Sequence, residues 1–363
     1  MSFPIEPPIE PMLAKLADSL PEDSDFLFEP KWDGFRAIVF RGASDVYIQS
    51  RDLKPLDRYF PELHQSLLEL LPPGCVVDGE IVIATPNGLD FDALQLRLHP
   101  AQSRTAKLAR ETPASFVAFD ALAVEGNNIM AMPQWDRRAN LEKLVKASKP
   151  RLPQSAHVTP MTTEHRVAVD WLRQFEGAGL DGVIAKRRDL PYQPGKRAML
   201  KVKHARTADC VVAGFRWYKD STDAVGSLLL GLYDDDGALH HVGVTSAFTM
   251  AVRKELAQEL EPLRKNAMKN HPWRDWEHEE AHATARLPGA QSRWSAGKDL
   301  SWEPLRIERV CEVKYDHLQG DRFRHATHFL RWRPDKPPAD CRYDQLEVTA
   351  PYELKKVFSA KRV

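Results

Sequence analysis

Residues 29–36, with the sequence EPKWDGFR, place a lysine, a carboxylate, a glycine and an arginine within one turn between two strands. A lysine amine attacks phosphorus only in its neutral form, which a nearby cation such as Arg36 or a bound metal favours. Asp33 could orient a metal or Lys31 itself, and Gly34 permits a tight backbone that lets a phosphate come close. These are the parts for phosphoramidate chemistry, although charged surface turns of this kind are common.

Two strand-like segments further along the chain carry residues with two possible explanations. Residues 75–83, CVVDGEIVI, set Glu80 among β-branched residues, where an uncompensated carboxylate is costly and needs either a salt bridge or a ligand. Residues 115–122, SFVAFDAL, form a strand in which Phe119 could stack on a flat ligand or fill the core. The residues alone leave both alternatives open.

Two later segments add acids and lysines to strands. Residues 179–186, GLDGVIAK, place Asp181 immediately before a strand. In the sequence LKVK at residues 200–203, Lys201 and Lys203 share one face, because side chains alternate along a strand. Two ammonium groups on one face repel each other unless an anion lies between them, and a nucleotide phosphate fits this requirement. The alternative is a pair of exposed lysines that keep an edge strand from aggregating.

The length and charge of the chain set broad limits. Its 363 residues are enough for two domains with separate cores. The 51 lysines and arginines balance 51 aspartates and glutamates, so no overall basic charge indicates nucleic acid. Phosphate contacts need only a local basic face, which a few of the residues could supply: Lys31, Arg36, Arg51, Lys186, Lys201 and Lys203.

The cysteines and the hydropathy pattern exclude several classes. The four cysteines are far apart and include no CxxC pair, which argues against zinc and against a disulfide framework. Cys75, Cys210 and Cys311 lie in apolar, strand-like runs and are predicted to be core residues. No run of about twenty apolar residues is present, so we expect no membrane span and a cytoplasmic protein.

Hydrophobic periodicity predicts a mixed α+β region followed by a β-rich region. The Pro-rich start, residues 4–11, is expected to be an extended arm over the first domain. Helices are predicted over residues 61–71, 91–98, 135–146, 167–175 and 252–260, the last stopped by Pro262. Short strands after residue 205 around one inserted helix predict an OB-fold barrel, with the domain boundary near Ala205.

In this order, the charged segments resemble the nucleotidyltransferase motifs of ATP-dependent DNA ligases. Residues 331–336, RWRPDK, resemble the motif that closes the ligase OB domain, and residues 50–52, SRD, resemble an additional arginine motif. Residues 320–325, GDRFRH, fit the C-terminal region. The resemblance is strongest to the small bacterial ligase C type, which is related to the ligase module of bacterial end-joining ligase D.

The resemblance implies a fold and a domain plan. A nucleotidyltransferase, or adenylation, domain of α+β class would occupy residues 1–204. An OB-fold β-barrel domain would follow at residues 205–345, with a C-terminal tail at residues 346–363. The protein is expected to be a monomer.

The resemblance also implies a reaction with ATP as AMP donor. Lys31 would attack the α-phosphorus of ATP, release pyrophosphate and carry AMP. AMP would then pass to a 5′-phosphate at a nick, and a 3′-hydroxyl would displace it and seal the strand. The expected metal ligands for Mg²⁺, with Mn²⁺ as a substitute, are Asp33, Glu80 and Asp181, although many relatives have glutamate at the Asp181 position.

The same resemblance assigns the other site residues. The residues expected to contact the nucleotide are Glu29, Arg36, Arg51, Glu80, Phe119, Lys186, Lys201, Lys203, Arg331, Arg333, Asp335 and Lys336. The last four would act on the β- and γ-phosphates when the OB domain closes, and the alternative for them is a solvated strand end. Nicked duplex DNA is the expected partner, with a repair polymerase or end-joining proteins acting in trans.

Two other functions remain open on the residues alone. RNA ligases and GTP-using capping enzymes share the lysine motif, although residues 50–52 and 320–336 favour a DNA ligase. A nucleic-acid-binding OB protein with a degenerate first domain would bind without forming an adenylate. The intact set of Lys31, Glu80 and the two lysines of the LKVK segment argues against it.

Overall fold

The computed structural model describes residues 3–85, 88–147, 156–204, 206–219, 221–276, 288, 301–316, 318–346 and 352–359. The chain forms two compact units. The first contains the described residues up to His204 together with Tyr352–Ser359, and the second contains the described residues from Arg206 to Leu346. Ala205, the predicted boundary, lies outside the described residues.

The first unit is built from two mixed sheets, a third sheet of two short strands and six α-helices within its described residues. Its strands are β1 Ala14–Leu16, β2 Phe26–Lys31, β3 Phe35–Arg41, β4 Val46–Ser50, β5 Cys75–Val82, β6 Ala84–Thr85, β7 Gly88–Leu89, β8 Ser115–Val124, β9 Asn127–Asn128, β10 Ala156–Val158, β11 Gly182–Arg187 and β12 Met199–Lys203. Its helices are α1 Pro61–Leu70, α2 Phe91–Leu96, α3 Gln102–Glu111, α4 Gln134–Ala147, α5 His165–Gln174 and, at the end of the chain, Leu354–Ser359.

The strand order places the charged segments next to one another. One sheet has the order β1-β12-β11-β2, and the other runs β10-β8-β5-β3-β4, with β9 beside β8. Strand β5 is central, paired with β3 and β8, and its residues are buried except for Glu80, which is half-buried. The expected arm is confirmed, because Ile9 and Met12 are buried against Ile38.

The described residues of the second unit form a six-stranded antiparallel sheet, a second sheet of two short strands and one long helix. Its elements are β13 Arg206–Trp217, β14 Val225–Tyr233, β15 Leu239–Thr245, α6 Met250–Arg264, β16 Glu303–Pro304, β17 Val310–Tyr315, β18 Leu318–Gln319, β19 Arg322–Phe323 and β20 His328–Trp332. The sheet order is β15-β14-β13-β17-β20, with β16 beside β13. Strands β14 and β15 are joined by an Asp-rich turn that ends at Gly237, whose φ is +80°.

The elements of the structure differ from the expected ones in three places. Helix α3 was missed, since its ten residues include only two buried ones and give little apolar periodicity. Pro262 does not stop α6, which continues to Arg264 and buries Leu263 in the core. The expected tail is not one element: Leu346 packs into the core of the second unit, whereas Leu354 and the residues after it return to the first unit. We label this last helix, Leu354–Ser359, α7.

The described residues include no helix that is both long and apolar enough to cross a membrane. All four cysteines are free thiols in the interior, which confirms the core prediction for Cys75, Cys210 and Cys311, and Cys341 is also buried.

Candidate active site

Lys31 lies at the end of β2, where pairing with β11 fixes its position. Lys31 is opposite Gly182, and Gly182 is opposite Lys203 on β12, so three adjacent strands bring the two lysines to one place. Gly182 has a φ of +142°, and a Cβ at this position would lie 2.1 Å from the carbonyl oxygen of Val202. Only glycine therefore allows β11 and β12 to approach this closely.

Asp181 holds the ammonium group of Lys31. Lys31 Nζ donates to Asp181 Oδ2 at 2.5 Å, and Lys203 Nζ is 3.5 Å from the same oxygen. The Asp181 side chain is 7% exposed and that of Lys31 is 20% exposed, so the amine still reaches the cavity. The Asp181 amide also donates to the Lys31 carbonyl at 2.9 Å. This carboxylate, predicted to be a metal ligand, is thus engaged with two amines.

Glu80 presents its carboxylate to the cavity without a partner in the part of the chain that the structure describes. Burial raises the pKa of Glu80 to about 8, although Lys31 and Arg36 act in the opposite direction. The negative charges of Asp33 and Asp78 add to the increase. A hydroxyl donor or a cation that enters the cavity would therefore meet an acceptor whose hydrogen-bonding capacity is unused.

Phe119 is half-buried and lines the cavity, and two cations lie close to its ring. Lys186 Nζ is 4.8 Å from the ring centroid, and Arg36 Cζ is 5.2 Å away. Lys186 Nζ also donates to the Phe119 carbonyl at 3.1 Å. The ring is therefore held at the cavity wall by its neighbours, which favours a platform for a flat ligand over the interior of a core.

Arg36 is tied into the protein on every side of its guanidinium. It donates to Asp78 at 3.0 Å and 2.6 Å and to the Met12 carbonyl at 2.6 Å. Burial opposes its charge, but Asp78 outweighs burial and raises the pKa of Arg36. Tyr192 donates to Asp78 as well, at 2.7 Å. Arg36, predicted as a nucleotide contact, lines the cavity near the Phe119 ring, and these partners hold its guanidinium there.

Glu29 is almost fully buried, and each of its oxygens accepts from a buried cation. Arg138 Nη1 donates to Oε1 at 2.8 Å, and Lys186 Nζ is 2.7 Å from Oε2. Arg138 comes from α4, where it also donates to Glu142 at 3.0 Å and to the Thr159 carbonyl at 2.7 Å. Each carboxylate oxygen keeps a free lone pair, so Glu29 can still accept from a ligand.

One cavity brings most of the predicted residues together. Its lining consists of Leu13, Ala14, Glu29, Pro30, Lys31, Trp32, Arg36, Arg51, Glu80, Phe119, Ile184, Lys186, Arg197, Met199 and Lys201. Burial lowers the pKa of Lys201, and the positive charges of Lys31, Lys203 and Arg51 lower it further. The cavity therefore joins an apolar wall to a group of cations that repel one another, an arrangement suited to a flat ring attached to phosphates.

Two predicted residues have other surroundings. Asp33 is half-buried and is absent from the cavity lining, and its negative charge contributes to the raised pKa of Glu80. Gly34 allows the backbone to lie close to β5, since a Cβ there would lie 2.1 Å from the Ile81 carbonyl oxygen. The described residues contain no cluster of three or more acids, histidines or cysteines that could hold a metal, so the three expected ligands do not form such a group.

The remaining predicted residues belong to the second unit. Arg333 forms a two-pronged pair with Asp209 at 2.8 Å and 2.9 Å, and it also donates to Asp335. Its hydrogen bond lowers the pKa of Asp335 to about 2. Lys336 Nζ is 3.3 Å from Asp209, while Arg331 is mostly exposed and pairs with Glu312. Asp209 thus gathers two of the four residues at one point of this unit.

Comparison with known proteins gives the family. The sequence model described as ATP dependent DNA ligase domain matches residues 11–203, and the one described as ATP dependent DNA ligase C terminal region matches residues 221–336. The chain belongs to the ATP-dependent DNA ligases. It is 53% identical over 347 residues to DNA ligase C of Mycobacterium tuberculosis, covering 96% of each chain.

Two further ligases support this placement. The multifunctional non-homologous end joining DNA repair protein LigD of Mycobacterium tuberculosis is 27% identical over 323 residues, which cover 87% of this chain and 37% of LigD. A solved structure of a Lig E DNA ligase superposes with a TM-score of 0.55 at 16% identity, covering 89% of this chain and 99% of that one. The predicted plan of a nucleotidyltransferase domain and an OB-fold domain is confirmed.

The activity of this family, ATP-dependent joining of DNA, is therefore the activity of this chain. Several residues that line or support the cavity were missed in the sequence. Arg138 lies on a helix far along the chain from Glu29, and Arg197 lies in a segment without regular structure. Ile184 and Met199 are ordinary apolar strand residues until the fold shows that they face the cavity. No local spacing pattern identifies such residues.

Proposed function

We propose that Lys31 is the nucleophile of the first step. Its Nζ attacks the α-phosphorus of ATP, a nitrogen–phosphorus bond forms, the bond to the bridging oxygen breaks, and pyrophosphate leaves. The ammonium must lose a proton before it can attack, and Asp181 Oδ2, at 2.5 Å, is positioned to receive it. The observation that carries this proposal is the Lys31–Asp181 pair at the wall of a cavity lined with cations.

The base of ATP is proposed to lie against Phe119. The ring is fixed by Arg36 and Lys186, so stacking would need no further ordering of the wall. Glu29 would accept a hydrogen bond from the exocyclic amine of adenine through a remaining lone pair. The same position would repel the carbonyl oxygen of guanine, which supports ATP over GTP.

Three cations around the cavity are proposed to contact the phosphates. Lys201, Arg51 and Arg197 lie on its lining, and the last two are exposed. A phosphate between them would relieve the repulsion that lowers the pKa of Lys201. Lys203, which is paired with Asp181, would remain close to the nitrogen–phosphorus bond that forms.

The four charged residues of the second unit are proposed to act on the β- and γ-phosphates. Arg333 and Lys336 are aligned by Asp209, while Arg331 is mostly exposed. A cationic group at the leaving phosphates would stabilise the negative charge that develops on pyrophosphate. Asp335, whose pKa is low, would stay ionised and keep Arg333 in place.

A divalent cation, Mg²⁺ or Mn²⁺, is proposed to bind near Glu80, with Asp33 as the second carboxylate. The unpartnered Glu80 oxygens fit this group, because Mg²⁺ takes one or two carboxylates together with water and phosphate oxygens. When bound, the cation would neutralise phosphate charge. The same Glu80 oxygens could instead accept from a ribose hydroxyl.

The DNA substrate is proposed to be a nicked duplex in a repair setting. The likeness to LigD supports an end-joining or excision-repair role, in which a polymerase and end-joining proteins act in trans. We expect a monomer in the cytoplasm, since bacterial DNA lies there. Adding a repair polymerase and a gapped duplex should increase sealing by this protein, and unchanged sealing would contradict the repair setting.

The decisive experiment is labelling with α-labelled ATP or GTP and Mg²⁺, followed by denaturing electrophoresis and a chase with nicked DNA. Wild type should take label from ATP and lose it to DNA as the strand is sealed, while Lys31→Ala should take none. Lys143→Ala, which changes an exposed lysine on α4, is the control and should behave as wild type. Label from GTP would point to capping chemistry, and no label at all would refute the covalent step.

A further inference from the structure

The last helix of the chain docks onto the first unit. In α7, Leu354 is 7% exposed and Val357 is fully buried, and both pack with Trp171 and Phe175 in one hydrophobic cluster. The Tyr352 amide donates to the Gly177 carbonyl at 3.0 Å, which fixes the start of the segment. The helix is therefore part of the core of the nucleotidyltransferase domain, although it follows the OB-fold domain in sequence.

The aromatic ring of Phe358 lies between two side chains of this domain. It stacks on Trp32 with ring centroids 5.1 Å apart and an interplanar angle of 21°. On His157 the distance is 4.2 Å and the angle is 27°. Large aromatic contacts of this kind contribute more than the burial of their area alone. The packing of Trp32 thus depends on a residue more than three hundred positions away.

Trp32 connects this stack to the active site. It follows Lys31 directly in sequence, it lines the cavity, and its Nε1 donates to Thr159 Oγ1 at 2.8 Å. The Thr159 carbonyl accepts from Arg138, which in turn holds Glu29. The Trp32 indole is therefore adjacent to Lys31 in sequence and is linked through Thr159 and Arg138 to Glu29. Phe358 is the aromatic ring stacked on this indole.

We propose that α7, through Phe358, holds Trp32 in place and thereby positions Lys31 for attack on ATP. Phe358 acts through Trp32 and is a positioning residue. The helix lies beyond residue 336, where the matched ligase regions end, so the contact is a feature of this chain beyond those regions. This inference rests on the proposed role of Lys31.

The test is the rate of lysyl-AMP formation at varied ATP concentration in the full-length protein. Phe358→Ala should raise the KM for ATP or lower kcat, so that kcat/KM falls about tenfold, because small misplacements of reacting groups are costly. Phe358→Trp, which keeps a stacked ring, should retain most of the wild-type kcat/KM. Lys355→Ala, on an exposed position of the same helix, should match wild type.

A second variant separates positioning from loss of stability. Val357→Ala removes buried volume from α7 but leaves the Phe358–Trp32 stack, so it should lower Tm while kcat/KM stays near the wild-type value. Equal losses in Val357→Ala and Phe358→Ala would overturn the proposal, and so would a Phe358→Ala protein with unchanged kinetics. If wild type itself formed no lysyl-AMP, the proposed function would fail instead, which is a different result.

Discussion

Single residues of the cavity show how its charges are arranged. The lining contains six lysines and arginines, Lys31, Arg36, Arg51, Lys186, Arg197 and Lys201, but only two acids, Glu29 and Glu80. Arg36 forms an ion pair with Asp78, and Lys186 forms one with Glu29. The cations that remain at the cavity repel one another, and the proposed triphosphate would relieve that repulsion.

Asp181→Asn tests the anchor of the nucleophile. The variant keeps the shape but removes the charge that holds Lys31 and the group placed to take its proton. We expect lysyl-AMP formation at saturating ATP to fall about 100-fold, the usual cost of a misplaced reacting group. Asp189→Asn, an exposed acid paired with Arg187, is the matched control. A wild-type rate in Asp181→Asn would show that the pair has no role in attack.

Glu80→Gln should separate stability from function. The folded-state pKa of Glu80, about 8, lies above its ordinary value of 4.5, so the folded protein keeps a proton that the unfolded chain releases. Wild-type stability therefore declines as pH rises from about 4.5 to about 8, and Gln at this position avoids that loss. In urea unfolding, the free energy of unfolding of the variant relative to that of wild type should be higher at pH 9 than at pH 5. The variant should also form lysyl-AMP more slowly.

The sign of that comparison is the critical outcome. If wild type gained stability relative to Glu80→Gln as pH rose, Glu80 would be stabilised as an anion, contrary to the raised pKa that its surroundings give it.

Among the elements, α4 supports two walls of the cavity through consecutive arginines. Arg137 makes a fully buried two-pronged pair with Asp120, at 2.9 Å and 3.0 Å, beside Phe119 in the sequence. Arg138 holds Glu29. A buried ion pair of this kind adds little net stability to the fold, but removing one partner is strongly destabilising. The two arginines of α4 therefore fix the positions of the cavity walls more than they stabilise the fold.

Arg138→Met should reduce the preference for ATP over GTP. Without Arg138, Glu29 is held only by Lys186, and its acceptor oxygens lose their fixed direction. The measurement is the ratio of kcat/KM for the two nucleotides in lysyl-AMP formation, which is independent of the fraction of folded protein. We expect this ratio to fall about tenfold, the effect of one misdirected hydrogen bond. Arg173→Met, on the exposed face of α5, should leave the ratio unchanged.

The elements also show how much the sequence could predict. Apolar periodicity predicted α1, α2, α4 and α5 to within a few residues, because each buries one face. Lys31, Glu80, Phe119 and Lys201 came from motif order, and the fold brings them to one cavity. The pair of Arg36 and Asp78 could not be predicted, because the two residues are 42 positions apart and come together only when β3 pairs with β5.

At the scale of the whole molecule, the first unit contains both described ends of the chain, while the second lies between them in sequence. The second unit has a complete core of its own, so a fragment of residues 205–348 should unfold cooperatively on heating. A fragment of residues 1–204 lacks α7 and should melt below the full-length protein, since Val357 and its neighbours no longer cover the cluster. Circular dichroism of both fragments checks this, and a 205–348 fragment without a cooperative transition would contradict it.

The four interior cysteines have a consequence for chemical durability. Burial raises the pKa of Cys75 and Cys341 to about 12 and also raises the pKa of Cys210 and Cys311. Since oxidants and alkylating agents attack thiolates, the native protein should take up no iodoacetamide, whereas the denatured chain should take up four equivalents. Such an enzyme would keep sealing DNA under the oxidising conditions that break it, without a supply of reductant.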